Sequence, residues 1–172
     1  MKKYLVFTLI LSLLFSIGAN LLKSERVRAE VGTDIGKKAP AFTIPNISGN
    51  DRNLRNYQGQ KVFLNFWATW CPPCKKEMPA IQKYYEEIQD NNEIAVLAVN
   101  VKEPKGKVLD YLMKKSFNFP ILLDKNGKTA QKYAVRGIPT TYIIDKQGII
   151  VEKHVGILSY ENIKSLMKKA EK

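Results

Sequence analysis

The sequence predicts an α/β domain: a central mixed sheet flanked by helices, with an N-terminal β-hairpin extension and a central helical insertion. Three observations predict it. Two apolar, β-prone runs, Lys61–Phe66 and Ile94–Val99, bracket an amphipathic helical stripe, which makes a parallel strand–helix–strand unit. Two further runs, Thr140–Ile144 and Ile149–Val155, are joined by Asp145-Lys146-Gln147-Gly148, the composition of a hairpin turn. A last helical pattern follows, so the order is βαβ, then α, then ββα.

The elements justify themselves in chain order. Phe42-Thr43-Ile44 reads as a short strand, Gly49-Asn50-Asp51 as a turn, and Asn53-Leu54 as part of a second short strand. Lys61–Phe66 is a buried strand. In the helix after it, Met78, Ile81, Tyr85 and Ile88 repeat at spacings of three and four and give one apolar stripe. Ile94–Val99 is the next buried strand. Val108, Leu109, Leu112 and Met113 mark a second amphipathic helix, Ile121-Leu122-Leu123 a strand, and Thr129–Tyr133 a short helix. Ser159 caps the last helix, whose inner face carries Tyr160, Ile163, Leu166 or Met167, and Ala170.

Composition narrows the class. Hydrophobic residues make up 45% of the 172, and charged residues 26%, which supports a packed core. The formal charge of +12 suits an anionic membrane surface or acidic partners. Nucleic acid is not expected, because no zinc-finger spacing, basic-region helix or aromatic RNA-binding motif accompanies the charge. Tyr4 to Leu22 is a run of nineteen uncharged residues after Met1-Lys2-Lys3, long enough to span a bilayer. Residues 1–28 are therefore expected as a signal-anchor with the start of a tether, 29–38 as a linker, and 39–172 as the folded domain. The alternative is a cleaved signal ending at Val27-Arg28-Ala29. The expected location is the cell membrane, single-pass, with the domain on the extracytoplasmic side.

The chemistry lies in Cys71-Pro72-Pro73-Cys74, which contains the only two cysteines. A zinc site needs four ligands, and no second CxxC or HxxxH exists; His154 is the sole histidine, so no metal is expected. A pair three residues apart closes too small a loop to constrain the unfolded chain much, so a structural staple is a poor explanation. A redox pair explains the context. The buried strand ends just before it and the amphipathic helix starts with it. Cys71 then sits at a helix N-terminus, where unpaired N–H groups favour an anion. Such a setting brings a cysteine pKa from about 8.5 into the range of roughly 3.5–7.5. Pro72 and Pro73 fall in the first turn, where a missing N–H is harmless. Cys74 lies on the same helix face, within disulfide reach. Cys71 attacks a substrate disulfide and Cys74 resolves the mixed disulfide.

The segment Val62-Phe63-Leu64-Asn65-Phe66-Trp67-Ala68-Thr69-Trp70-Cys71-Pro72-Pro73-Cys74-Lys75-Lys76-Glu77 resembles the active-site segment of the thioredoxin superfamily. It is most similar to the extracytoplasmic ResA/TlpA-like thiol–disulfide oxidoreductases. Ala39-Pro40-Ala41-Phe42, Asn118-Phe119-Pro120 with Asp124, and Gly137-Ile138-Pro139-Thr140-Thr141 resemble other segments of that family. The resemblance implies a thioredoxin-like fold, a Cys71–Cys74 disulfide, and a cis peptide at Pro139 that leaves the backbone edge of Ile138 open to an extended substrate. Cytosolic thioredoxins carry an aspartate where Asn65 stands. ResA-like proteins instead carry a glutamate that Glu77 matches, and a second one that Glu103 matches. The resemblance thus places Cys71, Cys74, Glu77 and Pro139 in catalysis, and Trp70, Pro72, Pro73, Ile138 and Glu103 in substrate binding. Glu77 would raise the thiol pKa values or move the resolving proton.

The expected function is a membrane-anchored protein disulfide reductase that needs no cofactor. The resemblance implies a protein disulfide substrate, such as apocytochrome c during cytochrome c maturation or a sporulation or envelope protein. It also implies a CcdA-like membrane dithiol donor; the chain is expected to be a monomer. The alternatives are an oxidant or isomerase on the same fold, a peroxidase, and a non-catalytic redox sensor. A proximal resolving cysteine and adjacent prolines do not suit a peroxidase.

Overall fold

A computed structural model describes residues 29–171. Two short strands, β1 (Thr43–Pro45) and β2 (Asp51–Asn53), form an antiparallel hairpin. The main sheet follows: β3 (Lys61–Trp67), α1 (Pro72–Ile88), β4 (Ile94–Val101), α2 (Lys105–Met113), β5 (Ile121–Asp124), α3 (Lys128–Lys132), β6 (Thr140–Ile144), β7 (Ile150–Val155) and α4 (Tyr160–Lys168). Its strand order is β5-β4-β3-β6-β7. β4 runs parallel to β3 and to β5, whereas β6 is antiparallel to β3 and β7 to β6. The mixed sheet is the one the sequence predicts, and the middle segment supplies one of its edges, β5.

β3 lies at the centre, and all of its residues are buried. Successive side chains go to opposite faces of the sheet. Phe63 and Trp67 join the core beneath α1 and α4, while Val62, Leu64 and Phe66 join the core on the other face. Asn65 therefore shares the α1 face with Phe63 and Trp67. That placement brings a buried amide under the helix that starts at the cysteines.

The buried side of α1 comprises Cys74, Glu77, Met78, Ile81, Tyr84 and Ile88. Tyr84, rather than the expected Tyr85, is the fully buried tyrosine. Its ring packs against Phe63 at 6.4 Å, and Ile163 and Met167 of α4 complete the same core. The presence of α4 widens the buried arc on that flank. On α2, Val108 and Leu112 are buried, but Met113 is 71% exposed because the helix ends there.

Residues 29–38, expected as a linker, hydrogen-bond to the start of β7, and Ala39 bonds to the turn before it. The Gly36 N–H donates to the Ile150 carbonyl (2.8 Å), the Ile150 N–H to the Lys37 carbonyl (2.9 Å), and the Ala39 N–H to the Gly148 carbonyl (2.9 Å). β7 is an edge strand whose outer N–H and C=O groups need partners, and this segment supplies them at its first residue. Among the described residues no helix is long and apolar enough to cross a membrane. The run Tyr4–Leu22 lies outside them.

Ser159 caps α4 as expected. The Asn162 N–H donates to Ser159 Oγ (3.2 Å), and the Ser159 N–H donates back to Asn162 Oδ1 (3.3 Å). Ser159→Ala should cost about 1 kcal/mol of stability, measured by urea unfolding of the oxidised protein. An unchanged midpoint would mean that the cap contributes nothing.

Candidate active site

β3 ends at Trp67, three residues turn the chain, and α1 begins. Cys71 is the N-cap of α1, and its Sγ accepts the N–H of Cys74 at 3.2 Å. Pro72 and Pro73 occupy the first helical positions, where no N–H is missed. Cys71 and Cys74 form a disulfide with Cα atoms 5.3 Å apart. Both are buried, Cys74 completely. Pro72 is exposed, and Trp70 is 59% exposed, so a large aromatic surface stands beside the pair. Trp67 is core.

The facing wall comes from the loop before β6. The Ile138–Pro139 peptide bond is cis. The Ile138 carbonyl oxygen lies 3.6 Å from Cys71 Sγ. Thr140 Oγ1 donates to the Gly137 carbonyl (2.6 Å), and the Gly156 N–H donates to the Pro139 carbonyl (2.9 Å). The second bond brings the end of β7 to the site. Val155 (63% exposed) and Ile157 (47% exposed) flank it there. Sequence reasoning missed this pair; the return of apolar residues at Val155 and Ile157 after Glu152-Lys153-His154 was its only signal.

Glu77 sits one helical turn beyond Cys74 and is 0% exposed. Asn65 Nδ2 donates to Thr141 Oγ1 (3.0 Å) and, more weakly, to Glu77 Oε2 (3.4 Å). Asn65 and Thr141 are register partners on β3 and β6, so the amide links the helix to the strand that follows Pro139. Among the described residues, Glu77 Oε1 and Asn65 Oδ1 find no hydrogen-bond partner. Burial pushes the Glu77 carboxyl up to about 8, against the opposing pull of the Leu158 backbone and the Asn65 amide. Glu77 is thus a buried acid, mostly protonated at neutral pH. Its spacing of three from Cys74 and four from Ile81 puts it on the buried face of the helix, away from the exposed Lys75 and Lys76.

Glu103 does not stand where a substrate would touch it. It is 4% exposed, and its carboxylate is already occupied. Thr69 donates to it twice, from the backbone N–H (2.6 Å) and from Oγ1 (2.6 Å), and Asn100 Nδ2 donates at 2.8 Å. Lys107 Nζ lies 3.4 Å away. Burial pushes the carboxyl up, but the bonds from Thr69 and Asn100 and the nearby Lys107 outweigh it and hold the group below the usual carboxylate range. A carboxylate with its acceptor sites filled inside the protein has little left for the substrate contact that the resemblance implies.

His154 lies on β7, opposite Thr141. Among the described residues no group of three His, Cys, Asp or Glu side chains is placed to hold a metal. An apolar cavity of about 440 Å³ opens at the other end of the sheet, beside Val62 and Ile144. It is remote from the cysteines, which sit after the C-terminal end of β3. The site can do thiol–disulfide chemistry at a surface: one sulfur at a helix N-terminus, a second behind it, and a buried acid on the next turn.

The comparisons agree with this geometry. The model of the AhpC/TSA family matches residues 35–153. The chain is 40% identical to the thioredoxin-like protein YneN of Bacillus subtilis, over 92% of this chain and 93% of that one. It is 35% identical to the thiol–disulfide oxidoreductase ResA of Geobacillus thermodenitrificans, over 95% of this chain and 91% of that one. The crystal structure of StoA from Bacillus subtilis superposes with a TM-score of 0.66 at 32% identity, covering 74% of this chain and 96% of StoA.

Proposed function

The chain belongs to the AhpC/TSA family, as a ResA-like thiol–disulfide oxidoreductase of the thioredoxin superfamily, and from that premise we propose that it works as a membrane-anchored reductase of disulfides in exported proteins. One observation carries the chemical part: the Cys71–Cys74 pair caps α1 with the Glu77 carboxyl buried on the next turn. The reaction consumes the dithiol form. Cys71 thiolate attacks one sulfur of the substrate disulfide, and the other sulfur leaves as a thiolate that takes a proton from solvent. The ionised fraction of Glu77 takes the Cys74 proton, and Cys74 attacks Cys71 Sγ. The second substrate thiolate leaves, and the Cys71–Cys74 disulfide remains. A carboxyl raised by burial to about 8 lies close to the ordinary thiol range, so a proton can pass between it and Cys74 in either direction.

Substrate enters as an extended segment along the backbone edge at Ile138, over the apolar surface of Trp70, Val155 and Ile157. The buried acid supports the reductant direction. A strong oxidant needs a reduced form stabilised as thiolate, and a carboxyl beside the pair opposes thiolate formation once it is ionised. The reading includes apocytochrome c with an oxidised haem-attachment pair as a substrate and a CcdA-like donor that restores the dithiol. The resemblance to ResA supports both, and the Tyr4–Leu22 run supports an anchor. Two measurements test this. The reduced protein should transfer its electrons to an oxidised CxxCH peptide, read by loss of thiols from the protein. In intact cells, a membrane-impermeant thiol reagent should label reduced Cys71. Peptide that stays oxidised removes the substrate class, and labelling only after lysis removes the placement.

A further inference from the structure

We propose that Glu103 is a positioning residue for the redox pair: its buried carboxylate clamps Thr69 and so fixes where Cys71 stands at the start of α1. The inference rests on the reading above that Cys71 is the attacking sulfur.

Only a short turn joins β3 to α1, and its own hydrogen bonds are few. The Cys71 N–H reaches the Ala68 carbonyl at a long 3.3 Å. Trp70 projects outward and is mostly exposed. Thr69 is the one residue of the turn held from both backbone and side chain, and Glu103 holds both. Glu103 itself is set from β4. It follows that strand by two residues, and Asn100, the register partner of Trp67, donates to the same carboxylate. The chain reaches Glu103 through Lys102 at φ 57°, a left-handed conformation that a non-glycine residue adopts at a cost. This strained step turns Glu103 back toward Thr69. The clamp therefore ties the active-site turn to the neighbouring parallel strand. The position of Cys71 relative to the Cys74 N–H and the Ile138 carbonyl depends on that turn.

Charge and position can be separated. A glutamine at 103 can keep the geometry, because its oxygen accepts from the Thr69 N–H and Asn100 while its NH₂ donates to Thr69 Oγ1. An alanine keeps nothing. The test is the rate of alkylation of the reduced full chain by iodoacetamide across pH, with mass spectrometry reporting which cysteine is modified. Unfolding midpoints are measured alongside. Glu103→Ala should slow modification of Cys71 at pH 7 by tenfold to a hundredfold, the scale of a small misplacement at a reacting centre. Glu103→Gln should stay within about threefold of the native protein by the same measure. Native rates in a folded Glu103→Ala protein overturn the proposal. So does a Glu103→Gln protein as slow as the alanine variant, since charge would then be responsible. If Glu103→Ala does not fold, Thr69→Val, which removes only the hydroxyl, should slow Cys71 several-fold, and a native rate overturns the clamp. If Cys74 is the cysteine modified first in the native protein, the attack assignment fails, whatever the variants do.

Discussion

Cys74→Ser stops turnover and leaves the substrate covalently attached through Cys71. The two sulfurs are not equivalent in this structure. Cys71 caps the helix and faces the Ile138 carbonyl, whereas Cys74 is 0% exposed behind it. A serine at 74 fits the same space but cannot displace the mixed disulfide. Multiple-turnover reduction of a protein disulfide should fall at least roughly a thousandfold, as when one member of a catalytic unit is lost. The first attack should persist, so incubation with an oxidised substrate yields a 1:1 adduct that reducing agent releases. Cys71→Ser should lose the same turnover and trap nothing. The reverse pattern, an adduct on Cys74 in Cys71→Ser, would exchange the two roles.

Glu77→Gln should alter both stability and turnover, each with its own pH dependence. Folding takes Glu77 from the ordinary value of 4.5 to about 8. Below pH 4.5 the group is protonated in the folded and unfolded chains alike. Between there and pH 8 the unfolded chain ionises and the folded one does not, so the unfolded state binds fewer protons. Stability must then fall as pH rises across that window, by a few kcal/mol in total. Glutamine cannot ionise and removes the slope. The variant should gain on the native oxidised protein steadily from pH 5 to 8 and match it near pH 4, as read by urea unfolding at each pH. In turnover the order reverses. Without an acceptor for the Cys74 proton, resolution of the mixed disulfide should slow on the order of a hundredfold near neutral pH. Parallel stability profiles in the two proteins would show that Glu77 does not carry the shift.

The parts of the site that are local in sequence were legible, and the parts made by distant residues were not. Cys71, the two prolines and Cys74 lie in one turn of helix, and the strand before and helix after them declare themselves by periodicity. Pro139 and Glu77 came from resemblance to a family. Helical spacing from Cys74 and Ile81 puts Glu77 on the inner face of α1, but that it meets Asn65 of β3 there came only from packing. Glu103 was assigned to substrate from the same resemblance; its partner Thr69 lies 34 residues away and carries no motif that would reveal the contact. The fold shows the same division. The αβ order and the hairpin follow from local pattern. The docking of residues 36–39 against the start of β7 answers a need of that strand, which a polar stretch does not advertise.

The reduction potential of the Cys71–Cys74 pair tests the central claim most directly. It is measured at pH 7 by equilibration against defined thiol–disulfide buffers. A reductant whose thiolate form is opposed by a buried acid should lie near thioredoxin, at about −270 mV, and in any case below about −200 mV. A value near about −120 mV, that of a strong disulfide donor, would mean that the reduced form is the stabilised one and that this protein oxidises its substrates.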